Sequence, residues 1–412
     1  MSPRRSRAPL PPGFAIIWVS VAVDLVGFGI VLPILPIYAK RFHASSLEAT
    51  LLVAAFSAGS FVASPLWGRL SDRVGRKPVL LVSLAGTAVG SLLTGVAGGL
   101  VLLFVGRVVD GISGASVSVA QASVSDLAPP SERPRLFGLL GAAFGLGFVA
   151  GPAIGALAAL GGPRVPFLLA AAISGVNAVV AIRRLPETSS PGDRVRRRGV
   201  NPLGGLVGAG SVGARAVAPL IGVAFCALVA FSAFEATFAL FGRRHLGFGI
   251  GSSAAVFAAV GVVIVVVEGG LVRVAVDRLG ELGTLRSGLA LNAAGLGLLA
   301  SARSWLLAAP ALVLLAAGQG LVQPTMSSAL AGRADPGRRG QVLGAQQSAG
   351  GLARVVGPAL GGALLGGAAS GVPYVAGAGL TVAALATAFS FGSRPKGWTA
   401  TGGQATPDVT VK

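Results

Sequence analysis

Long apolar stretches separated by short polar segments dominate the pattern of this sequence. A helix needs about 20 apolar residues to cross the core of a bilayer, and twelve stretches approach or reach that length. Gly and Pro interrupt many of them, which spanning helices tolerate better than soluble helices do. The pattern predicts twelve spans, numbered here in chain order: 14–39, 49–67, 79–97, 100–125, 136–160, 167–182, 216–240, 254–272, 283–301, 305–331, 341–366 and 374–391.

The first span follows Arg4, Arg5 and Arg7, as the apolar core of a signal peptide would. It is too long for such a core, contains Asp24 and leads directly into further spans. We therefore predict an uncleaved first helix.

Composition supports a membrane protein. Hydrophobic residues make up 53% of the chain and charged residues 11%, against about 25% charged in an average soluble domain. The net charge of +19 would suggest nucleic-acid binding, but the basic residues fall in short clusters between spans, so we exclude that partner. Cys226 is the single cysteine, and His43 and His245 are the two histidines, so we expect no disulfide framework, metal site or cofactor. The sequence also lacks a phosphate-binding G-x-x-x-x-G-K-S/T loop, so ATP is not expected to drive the protein.

Basic residues near the helix ends predict the orientation. With the N-terminus in the cytoplasm, 25 of the 33 Lys and Arg residues fall in cytoplasmic segments and 6 fall on the opposite side. The remaining two, Arg107 and Arg354, lie inside spans. The asymmetry predicts an even number of spans in the cell inner (plasma) membrane, with both termini cytoplasmic.

An internal repeat divides the chain into two halves. The segment 72–75 (Asp-Arg-Val-Gly) recurs as 277–280 (Asp-Arg-Leu-Gly), an offset of 205 residues. The segment 151–155 (Gly-Pro-Ala-Ile-Gly) recurs as 357–361 (Gly-Pro-Ala-Leu-Gly), an offset of 206. Nearly equal offsets indicate parallel repeats of six helices each.

The repeat and the long polar segment after span six predict five regions. They are an N-terminal cytoplasmic tail, a first six-helix bundle, a cytoplasmic linker, a second six-helix bundle and a disordered cytoplasmic tail: 1–13, 14–182, 183–215, 216–391 and 392–412.

The segment between spans two and three reads GRLSDRVGRKP and resembles the signature G-x-L-x-D-R-x-G-R-R/K of the major facilitator superfamily. The resemblance implies a cytoplasmic latch that favours the outward-open state, formed by Gly68, Asp72, Arg73, Gly75 and Arg76. Physically, the glycines permit a tight turn and a close helix approach. Asp72 can accept charge-assisted hydrogen bonds from a loop arginine or from a helix N-terminus of the other half. The alternative is a topology signal only, which would not need Asp72 or the glycines.

Small residues line one face of span five. Gly147, Gly151 and Gly155 are spaced by four residues, which lets another helix approach closely in lipid. Together with Pro152 they resemble the span-five signature of the antiporter branch of the superfamily. Ordinary small-residue packing remains the alternative.

Span four contains Arg107 followed by Asp110 and Gly111, which resembles the family's span-four pattern except that the family usually has a neutral residue at the place of Asp110. Arg107 is therefore either free to influence a proton site or held by Asp110. With Leu185-Pro186-Glu187-Thr188 after span six, these motifs resemble the twelve-span drug:proton antiporters. Span one, with Asp24, resembles the tetracycline-efflux group within them.

Ionisable residues inside a membrane are costly, each roughly 2.5–3.5 kcal/mol at a helix centre. The predicted spans contain six such residues, which must pair or line a water-filled cavity: Asp24, Arg107, Asp110, Glu235, Glu268 and Arg354. We predict that Asp24 couples protons, since it lies mid-span and stands where the family has its span-one acid; the alternative is a structural pair with Arg107 or Arg354. Glu235, Asp110 and Arg107 complete the predicted proton-coupling set.

Four amides lie on spans ten and eleven, where they either bind substrate in the cavity or hydrogen-bond between helices: Gln319, Gln323, Gln346 and Gln347. Glu268 either has a function or pairs locally with Arg273. Arg354 is expected to have an acidic partner.

The sequence therefore predicts an all-α integral membrane protein of twelve helices in two pseudo-symmetric halves, the major facilitator fold. We expect a monomeric, non-enzymatic transporter whose partners are protons, the lipid bilayer and a small-molecule substrate. Proton-driven efflux of a lipophilic or amphipathic drug-like compound is the predicted activity. A proton-coupled or facilitative carrier of a sugar or metabolite, and a non-transporting membrane sensor or scaffold, are the alternatives.

Overall fold

A computed structural model describes residues 10–114, 116–129, 132–188, 212–334, 339–366 and 370–391. Most of the predicted N-terminal tail and linker and all of the predicted C-terminal tail lie outside these ranges. Within them the regular structure is helical, and no strand occurs.

The first half has one or two helices for each predicted span. Spans one and four each contain two, and the six spans run in order: Phe14–Val31 with Leu35–Ala39, Ser46–Val74, Arg76–Gly95, Leu100–Ser113 with Ser116–Leu127, Arg133–Ala158 and Val165–Arg184. Short 3₁₀ helices, Lys40–Phe42 and Ala159–Gly161, follow spans one and five.

The second half follows the same plan. Its α-helices are Val212–His245, Ile250–Val266, Val272–Ser301, Trp305–Arg333, Arg339–Leu365 and Val372–Phe389. A π-helical turn, Val267–Leu271, continues span eight beyond Val266. After this turn the helix continues without a gap into Val272–Ser301. Within that stretch Gly280 has a φ of 73°, which breaks the helical path and separates span eight from span nine.

Eleven helical stretches of the described chain are long and apolar enough to cross a membrane. One of them, Ile250–Ser301, is 52 residues long, about 78 Å at 1.5 Å per residue, which is far more than one crossing requires. Division at Gly280 gives two spans of ordinary length. The predicted twelve-helix, multi-pass membrane fold is confirmed.

Three details differ from the prediction. Span one breaks between Val31 and Leu35, beside Pro33. Span two continues to Val74, so the predicted loop between spans two and three shrinks to Gly75. Span four, predicted as one helix, breaks at Gly114. Hydrophobicity reports the length of a span but not its internal hydrogen bonding, so the apolar runs alone did not locate these breaks.

The two halves meet at one end of the molecule, called here the Ser46 end, where one buried cluster contains residues of both halves. Tyr38 and Leu52 of the first half pack there with Leu240, Ala254 and Leu365 of the second. At the opposite end, called here the Arg76 end, one buried cluster contains only first-half residues and another only second-half residues. The described residues therefore form a core between the halves at the Ser46 end alone.

Close helix approaches show where the contact between the halves stops. A Cβ added to Gly261 of span eight would lie 2.6 Å from the carbonyl oxygen of Phe148 in span five, and one added to Gly145 would lie 3.1 Å from Val265. Towards the Arg76 end, Gly138 and Gly141 of span five face open space. Among the described residues, a buried core joins the two halves at the Ser46 end and none joins them at the Arg76 end.

Candidate functional site

Asp24 lies in the middle of the first half, and 9% of its surface is exposed. Its Oδ2 atom accepts a hydrogen bond of 2.5 Å from the hydroxyl of Ser116, the first residue of the second helix of span four. Its Oδ1 atom is buried and has no hydrogen-bond partner among the described residues. The ion pairs of the described chain do not join Asp24 to Arg107 or Arg354, so the alternative of a structural pair is absent in this conformation.

Arg107 and Asp110 form a buried ion pair three residues apart on the first helix of span four. Thr87 of span three also hydrogen-bonds to Asp110, and the Arg107 guanidinium carbon lies 5.4 Å from the centre of the Phe56 ring. Of the two alternatives for Arg107, the structure shows the one in which Asp110 holds it. Asp110 is also close enough to act electrostatically on Asp24.

The break in span four separates Asp110 from Ser116. At Gly114, φ and ψ are −68° and 52°, so the backbone leaves the helical path. The carbonyl groups just before the break are satisfied by side chains of neighbouring spans. Trp67 Nε1 donates to the Ile112 oxygen at 2.5 Å, and the Ser83 hydroxyl donates to the Ser113 oxygen at 2.5 Å. A non-helical segment at membrane depth requires such partners, because lipid offers none.

Glu235 is the buried acid of the second half. It lies on span seven with 5% of its surface exposed, and its Oε1 atom has no hydrogen-bond partner among the described residues. Its charged neighbour is Arg354 of span eleven, the arginine for which the sequence predicted an acidic partner. Each half therefore contains a buried carboxylate with one oxygen atom that has no hydrogen-bond partner among the described residues.

The four amides separate into two pairs. Gln319 is buried and its Oε1 accepts a hydrogen bond of 3.4 Å from Asn292 of span nine. Gln346 donates to the Ser327 hydroxyl of span ten at 3.1 Å. Both amides thus hydrogen-bond between helices, whereas Gln323 and Gln347 are exposed.

The glycine face of span five packs against span one. A Cβ added to Gly151 would lie 2.6 Å from the Cα of Gly29, and one added to Gly147 would lie 2.8 Å from the backbone of Leu25. At Gly155 the nearest atom, 3.1 Å away, is the Ile30 carbonyl oxygen. Pro152 lies buried on the same helix. The face therefore serves close packing, and any antiporter role acts through the contact with span one.

The predicted latch residues surround Arg76, whose side chain is 2% exposed. Its guanidinium contacts Asp72 at 2.8 Å and Asp126, at the end of span four, at 2.9 Å. It also donates to the Ser71 hydroxyl at 2.6 Å. In this conformation Asp72 therefore binds the arginine four residues ahead, the first of the two predicted kinds of partner.

The other latch residues have different surroundings. Gly75 adopts a φ of 110°, which allows the one-residue connection between spans two and three. No atom lies within 4 Å of a Cβ built on Gly68, so the predicted close helix approach is absent there. Arg73 is exposed. Glu187, from the segment after span six, accepts hydrogen bonds from the backbone N–H groups of Arg76 at 2.8 Å and Lys77 at 3.3 Å.

Glu268 lies in the π-helical turn of span eight, with an exposed side chain. Among the ion pairs of the described residues none joins it to Arg273, so the alternative of a local pair is wrong for this conformation. At the Ser46 end, Arg244 donates to the carbonyl oxygen of Leu365 and to the hydroxyl of Ser46, both at 3.2 Å. That arginine ties span seven to span two of the other half.

The sequence indicated the buried acids but not Ser116, which donates to Asp24, nor the side chains of Trp67 and Ser83, which bond the carbonyl groups before the break. A single serine or tryptophan in an apolar span carries no signal of the residue that it contacts. The sequence did carry a signal for Asp126, because an acidic residue stands out at the end of an apolar span that also contains Arg107. Arg244 was counted only as an outer basic residue.

Comparisons with known proteins show which proteins this chain resembles. The family model described as Major Facilitator Superfamily matches residues 17–286 and 271–412. The chain is 33% identical over 377 residues to the tetracycline resistance protein, class C, of Escherichia coli, covering 89% of this chain and 93% of that protein. It is 29% identical over 358 residues to multidrug resistance protein 2 of Bacillus subtilis, covering 85% and 88%. Among solved structures it resembles the human organic anion transporter MFSD10 (TETRAN), with a TM-score of 0.72, 24% identity and coverage of 92% and 100%, which concerns the fold alone.

Proposed function

The chain belongs to the Major Facilitator Superfamily, and we propose that it is a proton-coupled antiporter that exports a lipophilic or amphipathic drug-like compound by alternating access. Similarity to tetracycline and multidrug resistance proteins over more than four fifths of the chain supports drug efflux. The proton coupling and the substrate class go beyond that similarity and rest on the site.

The observation that carries the proposal is a pair of buried carboxylates, one in each half. Asp24 and Glu235 each have a buried oxygen atom without a hydrogen-bond partner among the described residues. A charged side chain at the centre of a bilayer costs roughly 2.5–3.5 kcal/mol, and a proton supplies the neutral form. Binding a proton is therefore the simplest chemistry that both groups share.

The conformation fits the inward-open step of such a cycle. The Arg76 end carries the basic residues that predict a cytoplasmic side, and it is the end at which the halves separate. In the proposed cycle the cytoplasm-open state binds drug while Asp24 and Glu235 are deprotonated. Rocking of the halves exposes the cavity outside, where protons displace the drug and allow the protein to return.

The test uses purified protein and tetracycline as the probe. Adding tetracycline to the detergent-solubilised protein should release protons, and in everted vesicles the protein should accumulate labelled tetracycline until an uncoupler collapses the gradient. Asp24→Asn, which imitates the protonated form, should abolish both responses while folding normally. Glu132→Gln is the matched control, because that carboxylate lies at the Arg76 end and pairs with Arg135 at 3.4 Å.

Three outcomes would contradict parts of the proposal. Undiminished proton release from Asp24→Asn would transfer the coupling role to Glu235 or Asp110. Tetracycline uptake that ignores the uncoupler would indicate a facilitative carrier. No movement of tetracycline or of any compound in a drug panel would favour a carrier of sugars or metabolites, or a sensor that retains the fold.

A further inference from the structure

The second helix of span four, Ser116–Leu127, touches both the proposed proton site and the latch. Its first residue donates a hydrogen bond to Asp24, and Asp126 near its last residue contacts Arg76. At 1.5 Å per residue these two contacts are roughly 15 Å apart along the helix. One short helix therefore joins a buried carboxylate in mid-bundle to the ion cluster at the Arg76 end.

We infer that this helix transmits the protonation state of Asp24 to the Arg76–Asp72 cluster, with the Ser116 hydroxyl as the positioning group that senses it. The inference rests on the proposed proton coupling at Asp24. When Asp24 is charged, Ser116 donates to a carboxylate and the helix is held at its first turn. When a proton binds the unpartnered Oδ1 atom, Ser116 donates to a neutral carboxyl group instead. A charge-assisted hydrogen bond is roughly twice as strong as a neutral one, so the first turn is then held less firmly.

The break before Ser116 makes such a movement possible. A continuous helix would bind residue 116 rigidly to the Arg107–Asp110 pair, but at Gly114 the backbone leaves the helical path. Trp67 and Ser83 supply the hydrogen bonds that the first helix of span four would otherwise lack at its end. The first helix therefore stays anchored to spans two and three while the second helix moves as a separate unit.

Rigidity of the second helix allows movement at one end to reach the other. The helix is packed into the core cluster of the first half through Val119, Ala120 and Val124. Its movement is therefore confined to sliding or tilting between its neighbours. At its C-terminal end Arg133 donates to the carbonyl oxygens of Ser125 and Ala128 at 2.9 and 3.0 Å. Displacement of Asp126 changes the charge next to Arg76 and so alters how firmly Arg76 holds Asp72.

Few charged groups of the described chain surround either end of the second helix of span four. Among the described residues the charged group that acts on Asp24 is Asp110, which is itself paired with Arg107. Span five presents Gly147, Gly151 and Gly155 to span one. Span six presents neutral groups to span one: the Asn177 amide donates to the Ser20 oxygen at 2.8 Å, and Ser174 lies beside Gly27. Around Asp126 the charged groups belong to the cluster already described: Arg76, Asp72, Glu187 and Arg133.

The experiment measures opening at the Arg76 end as a function of pH in the full-length protein. Spin labels are placed at Arg183 and Leu279, exposed residues in opposite halves at that end, after Cys226→Ala removes the single native cysteine. Distances are recorded in liposomes at acidic and alkaline pH. Proton release on adding tetracycline to the detergent-solubilised protein is measured in parallel for every variant.

Wild type should change its label distance with pH, and Ser116→Ala should lose that change while it still releases protons, because Asp24 is intact. Ser116→Thr should restore the response by keeping the hydroxyl. Ser123→Ala is the matched control, since this buried serine on the same helix donates at 3.0 Å to the carbonyl oxygen of Val119 in its own helix. It should behave as wild type.

Two results would overturn the inference alone: a pH response in Ser116→Ala equal to that of wild type, or an equal loss in Ser116→Ala and Ser123→Ala, which would indicate general weakening of the helix. If wild-type protein neither releases protons nor responds to pH, the proposed function fails together with the inference.

Discussion

Replacing Gly151 by alanine tests the contact between spans one and five most directly. The added Cβ would lie 2.6 Å from the Cα of Gly29 and 2.8 Å from the carbonyl oxygen of Val26. Carbon atoms in favourable contact are about 3.5–4.0 Å apart, so the two helices must separate by about 1 Å. Both neighbours are backbone atoms, which cannot rotate away. Overpacking of this kind costs typically about 1–3 kcal/mol.

Gly141→Ala is the matched control on the same helix, because no atom lies within 4 Å of its added Cβ. Alanine favours a helix over glycine by about 1 kcal/mol at either site, so the difference between the variants isolates the steric cost. Thermal stability in detergent, followed by the loss of monodisperse protein, should fall for Gly151→Ala relative to Gly141→Ala, and tetracycline efflux should fall with it. Equal melting temperatures would refute the packing geometry.

Three further predictions concern the two ends of the molecule. Asp72→Asn should greatly reduce efflux while membrane insertion stays normal, because the basic topology signal remains; normal efflux would leave the segment a topology signal only. Arg244→Gln should increase external labelling of a cysteine at buried Thr50, whereas Arg243→Gln should not, because Arg244 makes the hydrogen bonds to Leu365 and Ser46. Burial and the nearby Arg244 and Arg243 lower the pKa of Lys40 in the folded protein below its ordinary value of 10.5. Between the lowered value and the ordinary one, the unfolded chain binds more protons than the folded protein. Stability should therefore rise as pH approaches that value, and Lys40→Met should flatten the rise in a series of melting curves.

The sequence predicted the spans and the repeat because both depend on patterns that extend over many residues. The repeated Asp-Arg-x-Gly segments give the clearest case. Gly75 and Gly280 both adopt positive φ, at 110° and 73°, so the repeat in sequence is a repeat of the same turn. The buried acids were also predictable, since a carboxylate in an apolar run stands out from its neighbours.

What the sequence did not predict depends on single hydrogen bonds between distant residues. Ser116 lies 92 positions from Asp24, and Trp67 lies 45 positions from Ile112. The predicted loop between spans two and three was too long because its charged residues indicated a solvent-exposed loop. In the structure the helix continues through these residues to Val74. Charge alone does not end a helix, and the chain bends where Gly75 permits it.

The π-helical turn in span eight accounts for a difference in length between the two repeats. Span two has 29 residues, Ser46–Val74, between its N-cap and the glycine turn at Gly75. The same interval in span eight, from the N-cap Gly249 to Gly280, holds one residue more. A single inserted residue in an α-helix is accommodated by widening one turn, which is what a π-bulge does. The π-helical turn thus accommodates the extra residue of span eight within one turn, and Gly280 ends span eight as Gly75 ends span two.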